Sequence, residues 1–217
     1  PFPLRADPVG GMQARPTWNG GEQSEVEWFL RYLFRKEKFW AGQWETVKRI
    51  LRGQDSVVLL PTGAGKSIAF QLGSILRPGR TIVVAPINAL IDDQIENLRS
   101  YGIDRCVSIT GKDTRSDKDG ILKLIGLGHF LFIYVSPERF QSVPFRESLI
   151  SLTVHSVVSS VVIDEAHCVS EWGHSFRTAY LNLGRTARKY CQAGGGHVPP
   201  LIALTGTASR IVLRDCQ

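Results

Sequence analysis

Sulfur is scarce in this chain: four cysteines and one methionine in 217 residues. The cysteines (Cys106, Cys168, Cys191, Cys216) are scattered, with no CxxC pair. That spacing excludes a zinc ribbon and a disulfide framework, and it predicts a reducing, intracellular compartment, cytoplasm or nucleus. No apolar run approaches the roughly 20 residues a membrane-spanning helix needs, so no membrane partner is expected. Residues 1–21 lack the basic-then-apolar order of a secretory signal. The start at Pro1, with Met12 as the sole methionine, predicts a piece of a longer protein. No internal repeat or low-complexity tract appears. With 43% hydrophobic and 21% charged residues, the composition excludes wholesale disorder. A net charge of +6 permits a nucleic-acid partner without establishing one.

Residues 1–23 read as a linker or truncated extension, rich in proline and glycine and poor in apolar periodicity. A helix is expected from Ser24, where Ser24 and Glu27 have capping-box spacing, with Val26, Phe29, Leu30, Leu33 and Phe34 on one face. A second is expected over Gln43–Leu51, ending before Gly53. The chain then alternates. Apolar runs rich in β-branched residues at Ser56–Leu60, Thr81–Ala85, Phe130–Val135, Val158–Ile163 and Leu201–Leu204 read as strands buried on both faces. Helical patterns fall between them, notably Asn88–Tyr101 with Ile91, Ile95 and Leu98 on one face. Such alternation predicts an α/β fold with a mostly parallel central sheet and helices on both faces. The stretches Lys112–Asp119 and Gly194–Gly196 read as loops.

Pro61-Thr62-Gly63-Ala64-Gly65-Lys66-Ser67 follows one of these strands and opens a helix. Small residues let the backbone curl so that successive N–H groups face phosphate oxygens, reinforced by the helix N-terminus. In a P-loop of this kind Lys66 reaches the β- and γ-phosphates of ATP and the Ser67 hydroxyl ligates Mg²⁺. The strict pattern has Gly where this chain has Leu60. A second element fits the first: Val161-Val162-Ile163-Asp164-Glu165-Ala166-His167 is a buried strand ending in two carboxylates. Adjacent carboxylates there are costly unless a cation or solvent compensates them. Asp164 is placed to hold Mg²⁺, and Glu165 to polarise the attacking water. Together the two elements describe an ATPase site, with Lys66, Asp164 and Glu165 as the catalytic set.

At these residues a resemblance becomes specific. Asp164-Glu165-Ala166-His167 is the DEAH form of helicase motif II, and the following Cys168-Val169-Ser170-Glu171-Trp172-Gly173-His174-Ser175-Phe176-Arg177 resembles the aromatic-rich loop of RecQ-like DNA helicases. Phe39-Trp40-Ala41-Gly42-Gln43 resembles motif 0 of that family. Ala85-Pro86-Ile87-Asn88-Ala89-Leu90, with Asp93-Gln94, resembles motif Ia. Tyr134–Phe140 resembles the segment before motif II, and Leu204-Thr205-Gly206-Thr207-Ala208 resembles motif III. The likeness runs from about Phe34 to the C-terminus. It implies the first RecA-like domain of a superfamily 2 helicase, a P-loop NTPase unit over 24–217 truncated after motif III. The implied activity is ATP-dependent unwinding of DNA, single-stranded or forked, with 3'-5' polarity. A second RecA-like domain of the same parent protein is implied as partner.

Carried over by residue, the resemblance implies that Gln43 reads the adenine edge, with Trp40 stacking where the family often has Arg. Thr62, Gly63, Ala64, Gly65, Lys66 and Ser67 hold the phosphates. It implies that His167, Thr205 and Thr207 couple the nucleotide site to a DNA groove containing Pro86 and Asn88. Gly206 and Glu171 stand where the family often has Ala and Gln. Trp172, His174, Phe176 and Arg177 combine π-faces with a guanidinium, the chemistry that grips single strands by stacking and phosphate pairing; the competing reading makes Trp172 and Phe176 core anchors. Trp28, Phe29, Tyr32 and Phe34 read as helix packing, and His129, His155 and His197 lack ligand-like spacing. Lys36, Lys38, Lys48, Arg49 and Arg52 read as a solvated basic face. An RNA helicase of the DEAH class and a non-enzymatic ATP-binding switch are the alternatives to the DNA motor.

Overall fold

In a computed structural model of the chain, the structure describes residues 23–61, 63–109, 114–168, 180, 182–194 and 196–206. Six strands form one sheet: β1 (Ser56–Leu59), β2 (Arg80–Val84), β3 (Cys106–Ser108), β4 (Phe132–Val135), β5 (Val158–Ile163) and β6 (Leu201–Thr205). Their order is β1-β6-β5-β2-β4-β3, and every pairing is parallel. β4 is apolar and buried along its whole length, and β2 and β5, apolar toward their C-terminal ends, are buried over nearly all of theirs, as strands covered by helices on both faces must be.

The helices are α1 (Gln23–Phe34), α2 (Gln43–Leu51), α3 (Lys66–Ile75), α4 (Asn88–Ser100), α5 (Arg115–Gly126), α6 (Val143–His155) and α7 (Leu183–Tyr190). On one face, Ile50 of α2, Phe70 of α3 and Ile91, Ile95 and Leu98 of α4 pack on Val58, Val83, Tyr134, Val162 and Leu204. On the other, Ile125 of α5, Phe145, Leu149 and Leu152 of α6, and Leu183 and Ala187 of α7 pack on Ile82, Val84, Ile133 and Val161. Outside the first face, α1 lays Val26, Leu30 and Phe34 against Val47, Ala69 and Leu72. The expected architecture holds, and so do α2, α4 and five strands.

Several local expectations are corrected. The first helix starts at Gln23, so Ser24 lies inside it rather than capping it. Glu27 instead accepts from Gln23 Nε2 at 2.7 Å and from the Phe39 backbone N–H at 3.4 Å. Trp28, Phe29 and Tyr32 are exposed, with the Trp28 and Tyr32 rings stacked 4.1 Å apart; of the four aromatics expected to pack, only Phe34 is buried. The expected loop over Lys112–Asp119 contains the start of α5. There Thr114 Oγ1 accepts from the Asp117 backbone N–H while Asp117 Oδ2 accepts from the Thr114 backbone N–H. That reciprocal pair nucleates a helix whose first turn is too polar to show apolar periodicity. The short edge strand β3 was not anticipated, and β4 begins at Phe132 rather than Phe130.

Candidate functional site

The C-terminal ends of β1, β6 and β5 meet at one place, which the sheet order dictates. β1 runs into the P-loop, β5 into the DEAH turn and β6 into the Thr205-Gly206 turn. Main-chain bonds lock these turns together: the Leu60 N–H donates to Thr205 O (3.1 Å), the Asp164 N–H to Val84 O (2.8 Å) and the Ala166 N–H to Leu204 O (2.8 Å).

In the P-loop, Gly63 and Gly65 have φ of 82° and 69°, a region where a Cβ is strained. Gly65 caps α3, so Lys66 and Ser67 are its first residues. A Cβ on Gly65 would also collide with Gln43 Nε2. That amide is already spoken for: Nε2 donates to Ala64 O (2.9 Å) and Gly65 O (3.2 Å), while Oε1 accepts from the Trp40 N–H (2.9 Å). Gln43 therefore ties motif 0 to the P-loop, and Trp40 beside it is exposed. Leu60, the departure from the glycine pattern, is buried in the core, and its Cδ2 fills the space a Cβ on Gly42 would need.

Across from the P-loop, Lys66 Nζ lies 3.8 Å from Glu165 Oε1, and His167 Nδ1 lies 3.1 Å from Glu165 Oε2 and 3.3 Å from Thr205 Oγ1. Glu165 has φ of 49°, the left-handed region that non-glycine residues rarely occupy. A strained residue of this kind, worth about 1–3 kcal/mol, persists only where its surroundings over-determine it, and such positions cluster at functional sites. Asp164 is buried, its Oδ1 accepting from the Glu165 N–H (3.0 Å) and its Oδ2 from Gln94 Nε2 (2.7 Å). Burial pushes its carboxyl above the usual range; the Gln94 bond pulls the other way, Glu165 adds to the rise, and Lys66 opposes it.

Ser67, Asp164 and Glu165 supply hard oxygen donors at the strand ends. That combination suits Mg²⁺, which is commonly held by one or two carboxylates and substrate phosphates rather than by an all-protein cage. The buried Gln94 Oε1, which has no partner among the described residues, points the same way, since a hydrated cation brings donors to such an acceptor.

The structure thus brings Gln43, Gly63, Ala64, Gly65, Lys66, Ser67, Asp164, Glu165, His167 and Thr205 to one strand-end cluster. Pro86 and Asn88 stand at the neighbouring β2–α4 junction, Asn88 exposed and Pro86 half-buried. Thr62, Thr207, Trp172, His174, Phe176 and Arg177 lie outside the described residues. The sequence reading missed Gln94 as a site residue; its only signal was its place in the stretch resembling motif Ia. Among the described residues, no helix is long and apolar enough to cross a membrane.

Comparison with known proteins adds three findings. A family model described as DEAD/DEAH box helicase matches residues 40–214. Among curated proteins, the chain is 36% identical over 192 residues to a probable ATP-dependent DNA helicase RecS of Bacillus subtilis, covering 88% of this chain and 36% of that protein. It is 40% identical over 188 residues to the ATP-dependent helicase wrn-1 of Caenorhabditis elegans, covering 86% of this chain and 17% of that protein. The chain thus spans about a third or less of the length of these relatives. Among solved structures, the DUF1998 helicase MrfA bound to DNA and AMPPNP matches with a TM-score of 0.69 at 19% identity, over 88% of this chain and 27% of that one. That likeness establishes the RecA-like fold.

Proposed function

Because the chain belongs to the DEAD/DEAH box helicase family, we propose that it is the ATP-binding motor domain of an ATP-dependent DNA helicase of RecQ type, acting inside the cell. The observation that carries this reading is the cluster of Lys66, Glu165, His167 and Thr205, in which one carboxylate faces both the P-loop lysine and the histidine that reaches toward motif III. In this reading the domain unit runs over 24–217 with 1–23 as a linker, and a second RecA-like domain of the parent protein closes the cleft.

ATP occupies the P-loop, with its phosphates on the N–H groups of the Gly63–Ser67 turn and on Lys66. Ser67 and Asp164 would hold Mg²⁺, which would supply neutralisation of the developing phosphate charge. Glu165 takes the proton of the attacking water, the role its partial exposure and its pairing with His167 suit. His167, Thr205 and Thr207 couple the state of that carboxylate to the DNA groove, and Pro86, Asn88 and the aromatic loop from Trp172 to Arg177 meet the strand. Trp40 contacts the adenine, and so does Gln43 once its amide exchanges its bonds to Ala64 O and Gly65 O for the base. The similarity to a protein named as a probable ATP-dependent DNA helicase supports DNA over RNA as the strand.

The test is phosphate release by the parent protein with single-stranded DNA, with single-stranded RNA, and with neither. Stimulation by DNA well beyond RNA supports the reading. Stimulation by RNA alone makes the protein an RNA helicase, and ATP binding without turnover makes it a switch.

A further inference from the structure

One of the two hydrogen bonds to the Asp164 carboxylate comes from a residue 70 positions upstream. Gln94 stands on α4, where Ile91, Ile95 and Leu98 pin one face to the sheet. At helical spacing Gln94 borders that buried row, so its side chain is carried by an element that cannot rotate without unpacking the core. Its Nε2 donates to Asp164 Oδ2 at 2.7 Å, a charge-assisted bond, while Oδ1 is held by the Glu165 N–H. Both carboxylate oxygens are therefore oriented, one from the turn itself and one from a different strand's helix. The other end of the Gln94 amide, Oε1, is buried without a partner among the described residues. A buried amide with one half on a carboxylate and the other half orphaned is costly as pure packing, and its geometry matches the outer partner of a metal-ligating carboxylate.

We propose that Gln94 is the positioning residue of the magnesium centre, fixing the Asp164 carboxylate for the cation and offering Oε1 to the cation's hydration. The proposal rests on the reading of Asp164 as the magnesium carboxylate. Gln94 does its work through Asp164 and touches neither nucleotide nor reacting water.

The experiment reads binding rather than turnover. A fluorescent ADP analogue is titrated into the 217-residue chain over a series of Mg²⁺ concentrations and in EDTA, for the wild type, Gln94→Met and Asp164→Asn. Met keeps the length and bulk of Gln without its donor or acceptor. Gln94→Met should raise the Mg²⁺ midpoint about tenfold or more, the usual cost of losing an outer partner of a metal ligand. Its affinity in EDTA should match the wild type. Gln94→Met also loses the Nε2–Asp164 bond, so a melting curve accompanies each titration, and unchanged affinity in EDTA shows that the nucleotide site stays folded. A wild-type midpoint in Gln94→Met, with Asp164→Asn strongly shifted, overturns the role of Gln94 alone. Unshifted midpoints in both variants overturn the reading of Asp164. A second measurement needs no folded variant: in the wild type, the Gln94 side-chain amide NMR signal should move when Mg²⁺ joins bound ADP and stay put with ADP in EDTA. An immobile signal also overturns the proposal.

Discussion

Replacing Glu165 by Gln changes one atom and asks whether that carboxylate is the base. Lys66 Nζ lies 3.8 Å from Glu165 Oε1, a separation at which two unit charges attract by about 4 kcal/mol at an effective dielectric constant of 20. Desolvation and side-chain ordering consume most of that, and part-exposed pairs retain about 0–1 kcal/mol net. Glu165→Gln should therefore shift Tm by no more than about 2–4 °C, the change 1 kcal/mol produces in a domain of this size. The left-handed backbone at residue 165 is kept, because Gln occupies it no better than Glu. Lys66, released from its carboxylate, becomes fully available to phosphate. Mg²⁺–ATP affinity should be unchanged or tighter by up to about fivefold, the same 1 kcal/mol expressed as binding. Hydrolysis, by contrast, loses its proton acceptor and should fall by about 10²–10⁴-fold. The assay pairs single-strand-stimulated phosphate release in the parent protein with equilibrium nucleotide binding and a melting curve. Wild-type turnover refutes the assignment of the base. Affinity falling in step with rate refutes the accounting at Lys66 and makes Glu165 a ligand of the nucleotide complex.

Gly65→Ala should lose nucleotide affinity and about 1–2 kcal/mol of stability from its left-handed backbone, plus the cost of displacing the Gln43 amide. Gly63→Ala, with no atom within 4 Å of the added Cβ, isolates the backbone term, so equal losses in the two variants would remove the Gln43 contact from the account. Asp164→Asn should stabilise the metal-free chain at neutral pH. The folded carboxyl titrates above its unfolded value, so the wild type loses stability as pH rises through that range and Asn does not. Denaturant melts from pH 4 to 8 should show the gap widening with pH, and a gap of the opposite sign would refute the burial argument. In the parent protein, changing Trp172, Phe176 and Arg177 to Ala should spare DNA-free hydrolysis and reduce its stimulation by single-stranded DNA. A parallel fall in both rates, with stability lowered by about 3–5 kcal/mol per buried aromatic, would make them core anchors.

Where the determinants are local, the amino-acid sequence carries them. The glycines at 63 and 65 dictate the left-handed turn before α3, because that backbone conformation favours residues without a Cβ. The apolar run Val161-Val162-Ile163 of β5, ending in Asp164-Glu165, declares a strand buried on both faces with carboxylates at its tip. The Ile91, Ile95 and Leu98 stripe likewise announces α4.

Only the tertiary structure decided what depends on distant partners. A strand of three residues such as β3 has too few positions for a pattern and exists because β4 supplies its hydrogen bonds. Glu27, spaced to close a capping box, is taken by Gln23 and the Phe39 backbone. Trp28 and Tyr32 could have faced inward by helical spacing, but Val26, Leu30 and Phe34 fill the contact with α2 and α3 and leave the two rings to stack in solvent. Leu60 looks like a defect in the P-loop until Gly42 opens a place for its side chain. Gln94 carries no sign of its role beyond its place in the stretch resembling motif Ia, since the bond to Asp164 arises only because β2 and β5 lie side by side, and sheet order is a property of the whole chain's packing rather than of any segment within it.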